Sequence, residues 1–153
     1  MKTEALKRVY LFQSLKNSEL ELILSIARRW KFSSGQTIVR EGEEGDRFYL
    51  ILTGEVRISK QVPGIGEEAL AVLKPGDFFG EMALIDDASR SADAIANQET
   101  TLLGIERKDF ESLLFLNKDL AYAVLWAFSR TLCQRLREMN DKLQAMLAMR
   151  GGF

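Results

Sequence analysis

FFGEMALIDDASRSADA, residues 78–94, carries the groups that a small phosphorylated sugar requires. Phe79-Gly80-Glu81-Met82-Ala83-Leu84 reads as a tight turn running into a short helical turn. Gly80 has no Cβ, so the backbone there can approach another group closely and adopt unusual φ. The amides that follow it are the unpaired donors of a helix start, which suit an anion. Arg90, with Ser91 beside it, offers a planar fork of donors matched to phosphate oxygens. Glu81 when ionised can only accept, so it suits a sugar hydroxyl rather than the phosphate. Taken singly, Glu81 and Arg90 are also ordinary surface charges, and Phe-Phe-Gly is also a strand end with a bulge.

On Phe79–Leu84 and Arg90-Ser91-Ala92, this run resembles the phosphate-binding cassette of the cyclic nucleotide-binding domain family. Members include the bacterial catabolite activator protein and the regulatory subunits of cyclic AMP-dependent protein kinase. The family pattern is approximately F-G-E-[LM]-[AGS]-L, a variable loop, then R-[STA]-A. The resemblance implies that Glu81 binds the ribose 2′-hydroxyl and Arg90 the cyclic phosphate. Gly80, the amides near Met82, Ala83 and Ala92, and the Ser91 hydroxyl would complete the cradle. Asp86, Asp87 and Asp93 depart from the pattern, since family loops often carry Gly or Thr there. Pointing inward, they would weaken anion binding by like-charge repulsion.

Outward from the cassette the chain reads as short strands. Trp30–Ser33, Thr37–Arg40, Phe48–Leu52, Glu55–Ser59, Ala69–Leu73, Asp93–Ala96 and Thr101–Ile105 alternate or run apolar. Between them stand turn signals at Ser34-Gly35, Glu41–Asp46, Thr53-Gly54, Val62–Gly66 and Lys74–Asp77. Strands at this spacing predict an antiparallel sandwich or barrel. The glycine-rich turns also match family turn positions, so the resemblance extends over about residues 30–106. It implies an α+β, mainly β, fold: a cupin-like double-stranded jelly-roll β-sandwich with short N-terminal helices and a long C-terminal helix. A metal-dependent cupin is excluded, because the chain contains no histidine.

The helices bracket the roll in one predicted domain, 1–153. Residues 1–29 hold two helices: one over 3–12, and a second opened by Ser18 with Glu21 as a capping box. Residues 107–150 hold the others. Lys108–Leu116 reads as a short helix and Leu120 to about Met149 as a long one, with Asn117 or Asp119 available to cap it. Leu132, Leu136, Met139, Leu143 and Met146 form a short heptad seam that suits a second copy of the same helix. Leu125, one heptad earlier, is expected to pack on the roll. By resemblance, Met139 and Asn140 would cap the base. Gly151-Gly152-Phe153 is expected to end the helix, with no helix-turn-helix after it to enter DNA.

The 153 residues carry a net charge of −1, with 46% hydrophobic and 28% charged residues. Such a balance gives no general attraction to nucleic acid or acidic membranes. The lone Cys133 cannot form an intrachain disulfide, the N-terminus is not a signal peptide, and no apolar run reaches membrane-span length. A cytoplasmic location is the expectation. Without histidine the usual general base, metal ligand and nucleophile–base pairs are missing, so neither an enzyme nor a metal or cofactor site is expected. The expected function is a sensor of cyclic AMP or cyclic GMP. Ser91 favours cyclic AMP by resemblance, and a separate effector protein would take the signal. A ligand-free interaction module on the same fold is the alternative.

Overall fold

The computed structural model describes residues 2–151. Chain order is α1 (Lys2–Lys7), a 3-10 turn (Tyr10–Phe12), α2 (Asn17–Ser25), β1 (Arg28–Phe32), β2 (Thr37–Val39), β3 (Arg47–Thr53), β4 (Val56–Val62), β5 (Gly66–Leu73) and β6 (Phe78–Phe79). A second 3-10 turn (Glu81–Leu84), β7 (Asp93–Ala96), β8 (Thr100–Glu106), α3 (Arg107–Leu116) and α4 (Lys118–Gly151) follow. The strands form two antiparallel four-stranded sheets, β1-β8-β3-β6 and β2-β7-β4-β5. This is the expected jelly-roll sandwich.

The apolar run in β3 serves two cores at once, because successive side chains on a strand point to opposite faces. Tyr49 and Ile51 face into the roll, where they meet Val39, Val56, Ala94 and Leu102. Phe48 and Leu50 face outward onto the helices, packing with Phe12, Leu20, Phe110, Val124 and Phe128. The helical layer is therefore fastened to the strand that also pairs with β6, the entry to the cassette. The β3–β6 register is Tyr49 opposite Phe79 and Leu50 opposite Phe78.

Several boundaries differ from expectation. The predicted 3–12 helix breaks at Val9, which is extended (φ −76°, ψ 126°). Val9, Leu11 and Phe12 are all fully buried, and a continuous helix would put residues two apart on different faces. The break turns all three inward. The cap of α2 is also displaced: Glu19, not Glu21, accepts from the Lys16 backbone N–H at 2.9 Å. Ser18 lies inside the helix. Asn117 serves both helices: its side-chain amide donates to the Leu113 carbonyl at 2.9 Å, closing α3, and its own carbonyl accepts from Ala121 N–H at 3.0 Å, opening α4. Helix α4 continues through Gly151, and the rest of the predicted Gly-Gly-Phe stop lies outside the described residues.

Helix α4 divides into two parts. Leu120, Val124 and Phe128 are buried at four-residue spacing and hold the first turns to the roll. Each such side chain contributes about 1.5–3 kcal/mol. Leu125 is exposed, contrary to its expected packing, because that 120–124–128 row takes the contact face. Beyond Phe128, Leu132, Leu136, Met139, Leu143, Met146 and Leu147 are all exposed. No described helix is long and apolar enough to cross a membrane.

Candidate functional site

The cassette residues converge on a recess of about 340 Å³. Gly80, Glu81, Met82, Ala83, Arg90 and Ser91 line it, joined by Gly45, Asp86, Ala88 and Ser89. Ala92 does not line it, being the residue before β7, and neither do Met139 and Asn140, which are exposed on distal α4.

The recess is built by close backbone approach. Gly80 sits in the left-handed region, φ 75° and ψ 16°. A Cβ there would collide with the Arg90 guanidinium and lie 2.8 Å from the Arg47 carbonyl oxygen. Gly45 plays a related part without a positive φ: an added Cβ would stand 3.1 Å from the Ala88 carbonyl oxygen and 3.3 Å from Arg90 Nε. The glycine-rich turn 41–46 thus packs directly on the cassette loop. Arg90 N–H donates to the Glu43 carbonyl at 2.7 Å, and Gly42 N–H donates to the Arg90 carbonyl at 2.9 Å. Arg107, at the start of α3, clamps both segments by donating to the Gly45 carbonyl at 3.1 Å and the Asp86 carbonyl at 3.3 Å.

Arg90 is aimed by a hydrogen bond from Nη2 to the Arg47 carbonyl at 2.6 Å. Burial pulls its guanidinium below the usual arginine range, partly offset by Tyr49, Asp46 and Glu43. A desolvated cation held mainly by a neutral carbonyl has donors left for an anion. Glu81 is the complementary group. Its side chain is 13% exposed, and its carboxylate lies 3.9 Å from Arg135 of α4. The Arg135 guanidinium also lies over the Tyr10 ring, 5.1 Å from its centroid. Tyr10 in turn stacks on Phe128 (6.4 Å, 23°) and tilts against Phe78 (6.3 Å, 55°). Burial, then the Glu81 charge, pushes the Tyr10 phenol up to about 12, with Arg135 opposing. Its hydroxyl is buried without a hydrogen-bond partner among the described residues.

The three aspartates that depart from the family pattern separate. Asp93 Oδ1 accepts from the Glu41 backbone N–H at 2.6 Å, so it braces the 41–46 turn. Asp87 is exposed and does not line the recess, whereas Asp86 is at its edge. Ala83 N–H is used within its own turn, donating to the Gly80 carbonyl at 3.0 Å. Sequence reasoning missed Gly45, Ala88 and Ser89 as lining, and Arg47, Arg107, Arg135 and Tyr10 as supports. Only the 41–46 turn signalled itself, as a glycine cluster. Nothing in the local pattern joins Arg135 to a carboxylate 54 positions earlier.

Residues 29–117 match the cyclic nucleotide-binding domain family. The chain is 35% identical over 136 residues to the cyclic AMP receptor protein of Thermus thermophilus, covering 89% of this chain and 61% of that protein. It is 33% identical over 111 residues to the cGMP-dependent protein kinase egl-4 of Caenorhabditis elegans, covering 71% and 14% respectively. It therefore spans less than two thirds of the length of these curated relatives. Among solved structures, the N-terminal domain of a transcriptional regulator from Streptomyces coelicolor A3(2) aligns with a TM-score of 0.81 at 31% identity. That alignment covers 91% of this chain and 94% of the other.

Proposed function

Because the chain belongs to the cyclic nucleotide-binding domain family, we propose that its recess holds a 3′,5′-cyclic nucleotide and that the chain works as a sensor rather than an enzyme. The observation that carries this reading is Arg90: half-buried, aimed by the Arg47 carbonyl, and set in one recess with Glu81. The cyclic phosphate would take the remaining Arg90 donors, the Ser91 hydroxyl and the free amides of the cassette. The ribose hydroxyl would donate to Glu81. Cyclic AMP is favoured over cyclic GMP on Ser91, which bacterial relatives that bind cyclic AMP tend to carry.

Helix α4 would pass the signal on. Glu81 is the shared point, since its carboxylate already pairs with Arg135 at 3.9 Å. A ribose hydroxyl arriving at Glu81 changes that pair, and the ligand shifts α4 only by the difference in affinity between its two positions. Met139 and Asn140 lie about one turn beyond Arg135 and would meet the base once distal α4 comes over the recess. The exposed apolar stripe from Leu132 to Met146 is the surface through which two copies would pair as a homodimer. The effector is a further protein in the cytoplasm, with no direct contact to nucleic acid or membrane. No metal or cofactor is needed for this reading.

Calorimetric titration with cyclic AMP and then cyclic GMP tests it. Micromolar binding of at least one nucleotide is expected, the stronger heat from cyclic AMP. Arg90→Ala should weaken it by about one to two decades, the loss of a charge-assisted hydrogen bond worth roughly 1.5–3 kcal/mol. Absence of heat with both nucleotides would favour the second reading, a ligand-free interaction module. Asp86 at the recess edge and the occupied Glu81 carboxylate are the observations on that side.

A further inference from the structure

A second recess, of about 510 Å³, lies where α4 crosses the N-terminal segment. Tyr122, Trp126, Arg130 and Thr131 of α4 form one wall, and Tyr10 and Gln13 stand opposite. Trp126 and Arg135 are nine residues apart on a helix of 3.6 residues per turn, half a turn out of phase. Trp126 therefore faces away from the Arg135–Glu81 pair, and none of the residues that line this recess lines the cassette recess.

Its chemistry differs from that of the cassette. The Tyr122 and Trp126 rings lie 6.4 Å apart at 54°, and both are at least half exposed. The Arg130 guanidinium lies over the Trp126 ring, 5.1 Å from its centroid, and enters no ion pair among the described residues. Arg130 is the one charged side chain in the lining, and no carboxylate balances it. Gln13 and Thr131 add neutral donors and acceptors. The volume falls within the range of about 300–1,000 Å³ usual for small-molecule sites.

The geometry points to a second binding site here, for a small aromatic anion whose ring lies against Trp126 and whose acid group meets Arg130. An aromatic face answers Trp126 and Tyr122, which offer stacking area at a low entropic cost. A negative group answers Arg130, whose guanidinium stands over Trp126 in a lining that holds no carboxylate. This site does not depend on the cassette being occupied.

The test uses the full chain labelled with 5-fluorotryptophan. Its two tryptophans, Trp30 and Trp126, give two fluorine resonances, assigned with Trp126→Phe. The probe is naphthalene-1-sulfonate, with neutral 1-naphthalenemethanol as its uncharged counterpart. A saturable shift of the Trp126 resonance is expected while Trp30 stays in place. Arg130→Gln should weaken the sulfonate about tenfold, and the neutral alcohol should bind weaker than the sulfonate by a similar factor. Arg130 is exposed, so its replacement leaves the core intact. A shift that never saturates, equal movement of both resonances, or an Arg130→Gln affinity equal to wild type would each overturn the site. Cyclic AMP calorimetry on the same sample separates failure of this site from failure of the cassette reading.

Discussion

The cassette recess and distal α4 represent opposite ways of presenting a binding surface. At the recess every group is held by its own chain: Arg90 by the Arg47 carbonyl, the cassette loop by the 41–46 turn, and both by Arg107. Beyond Phe128, α4 carries seven large apolar side chains that are exposed, from Leu132 to Met149. A preorganised site has little ordering entropy left to lose when its ligand arrives. An exposed apolar stripe gains by being covered, and a two-fold copy supplies the same seam in return. The two surfaces meet at one pair, Glu81 and Arg135, where the recess touches α4.

The comparison can be broken first at the seam. Leu136→Glu would place two carboxylates at the proposed two-fold interface and should weaken self-association by about two decades or more, roughly 3 kcal/mol. Sedimentation or sizing would then show monomers with nucleotide binding retained. An unchanged mass for the variant would mean that the stripe is not the interface. The recess can be broken at Gly80. Gly80→Ala puts a Cβ at φ 75°, which costs about 1–2 kcal/mol for an L-residue, and it also displaces Arg90. Thermal unfolding should fall by that amount and nucleotide affinity should fall with it. Full affinity in that variant would remove Arg90 from the site.

The junction should yield a smaller number. A double-mutant cycle on Glu81→Gln and Arg135→Gln, read by urea unfolding, should give a coupling below about 1 kcal/mol. The pair is 3.9 Å apart and Arg135 is 46% exposed, so solvent screens it. A larger coupling would mean that α4 is clamped to the cassette rather than free to respond. Tyr10 gives the smallest effect and one with a defined sign. Its phenol is raised from 10.0 to about 12 in the fold, so the unfolded chain releases the proton first. The resulting stability is complete below about pH 10 and is lost as pH rises toward about 12. Tyr10→Phe should flatten that slope relative to wild type, while at neutral pH removing the unpartnered hydroxyl changes stability little. Equal slopes in the two proteins would place the phenol in solvent.

The roll and the core of the cassette were legible because they depend on local signals. The apolar run of β3, alternation over β4, glycines in most of the turns, and the F-G-E and R-S-A runs operate within a few residues of themselves. The boundaries that failed were those where burial overrode period. Helix 3–12 breaks so that Val9, Leu11 and Phe12 all turn inward, and Leu125 is turned out because Leu120, Val124 and Phe128 take the packing face. Capping shifted to Glu19 because both Glu19 and Glu21 could serve and geometry chose between them.

The sequence by itself determined that this chain forms a β-roll with an anion-seating turn and a long amphipathic helix, and that it does so without a histidine. Those properties follow from side-chain period, backbone permissiveness and composition. Only the tertiary structure decided what surrounds Arg90, that Gly45 is there to let one loop lie on another, and that Arg135 reaches Glu81 across the Tyr10 ring. The contacts of Arg90 with Arg47, of Gly45 with Ala88, and of Arg135 with Glu81 and Tyr10 join residues from 43 to 125 positions apart. No local pattern encodes such distances, because they are set by which faces of β3 and α4 are buried.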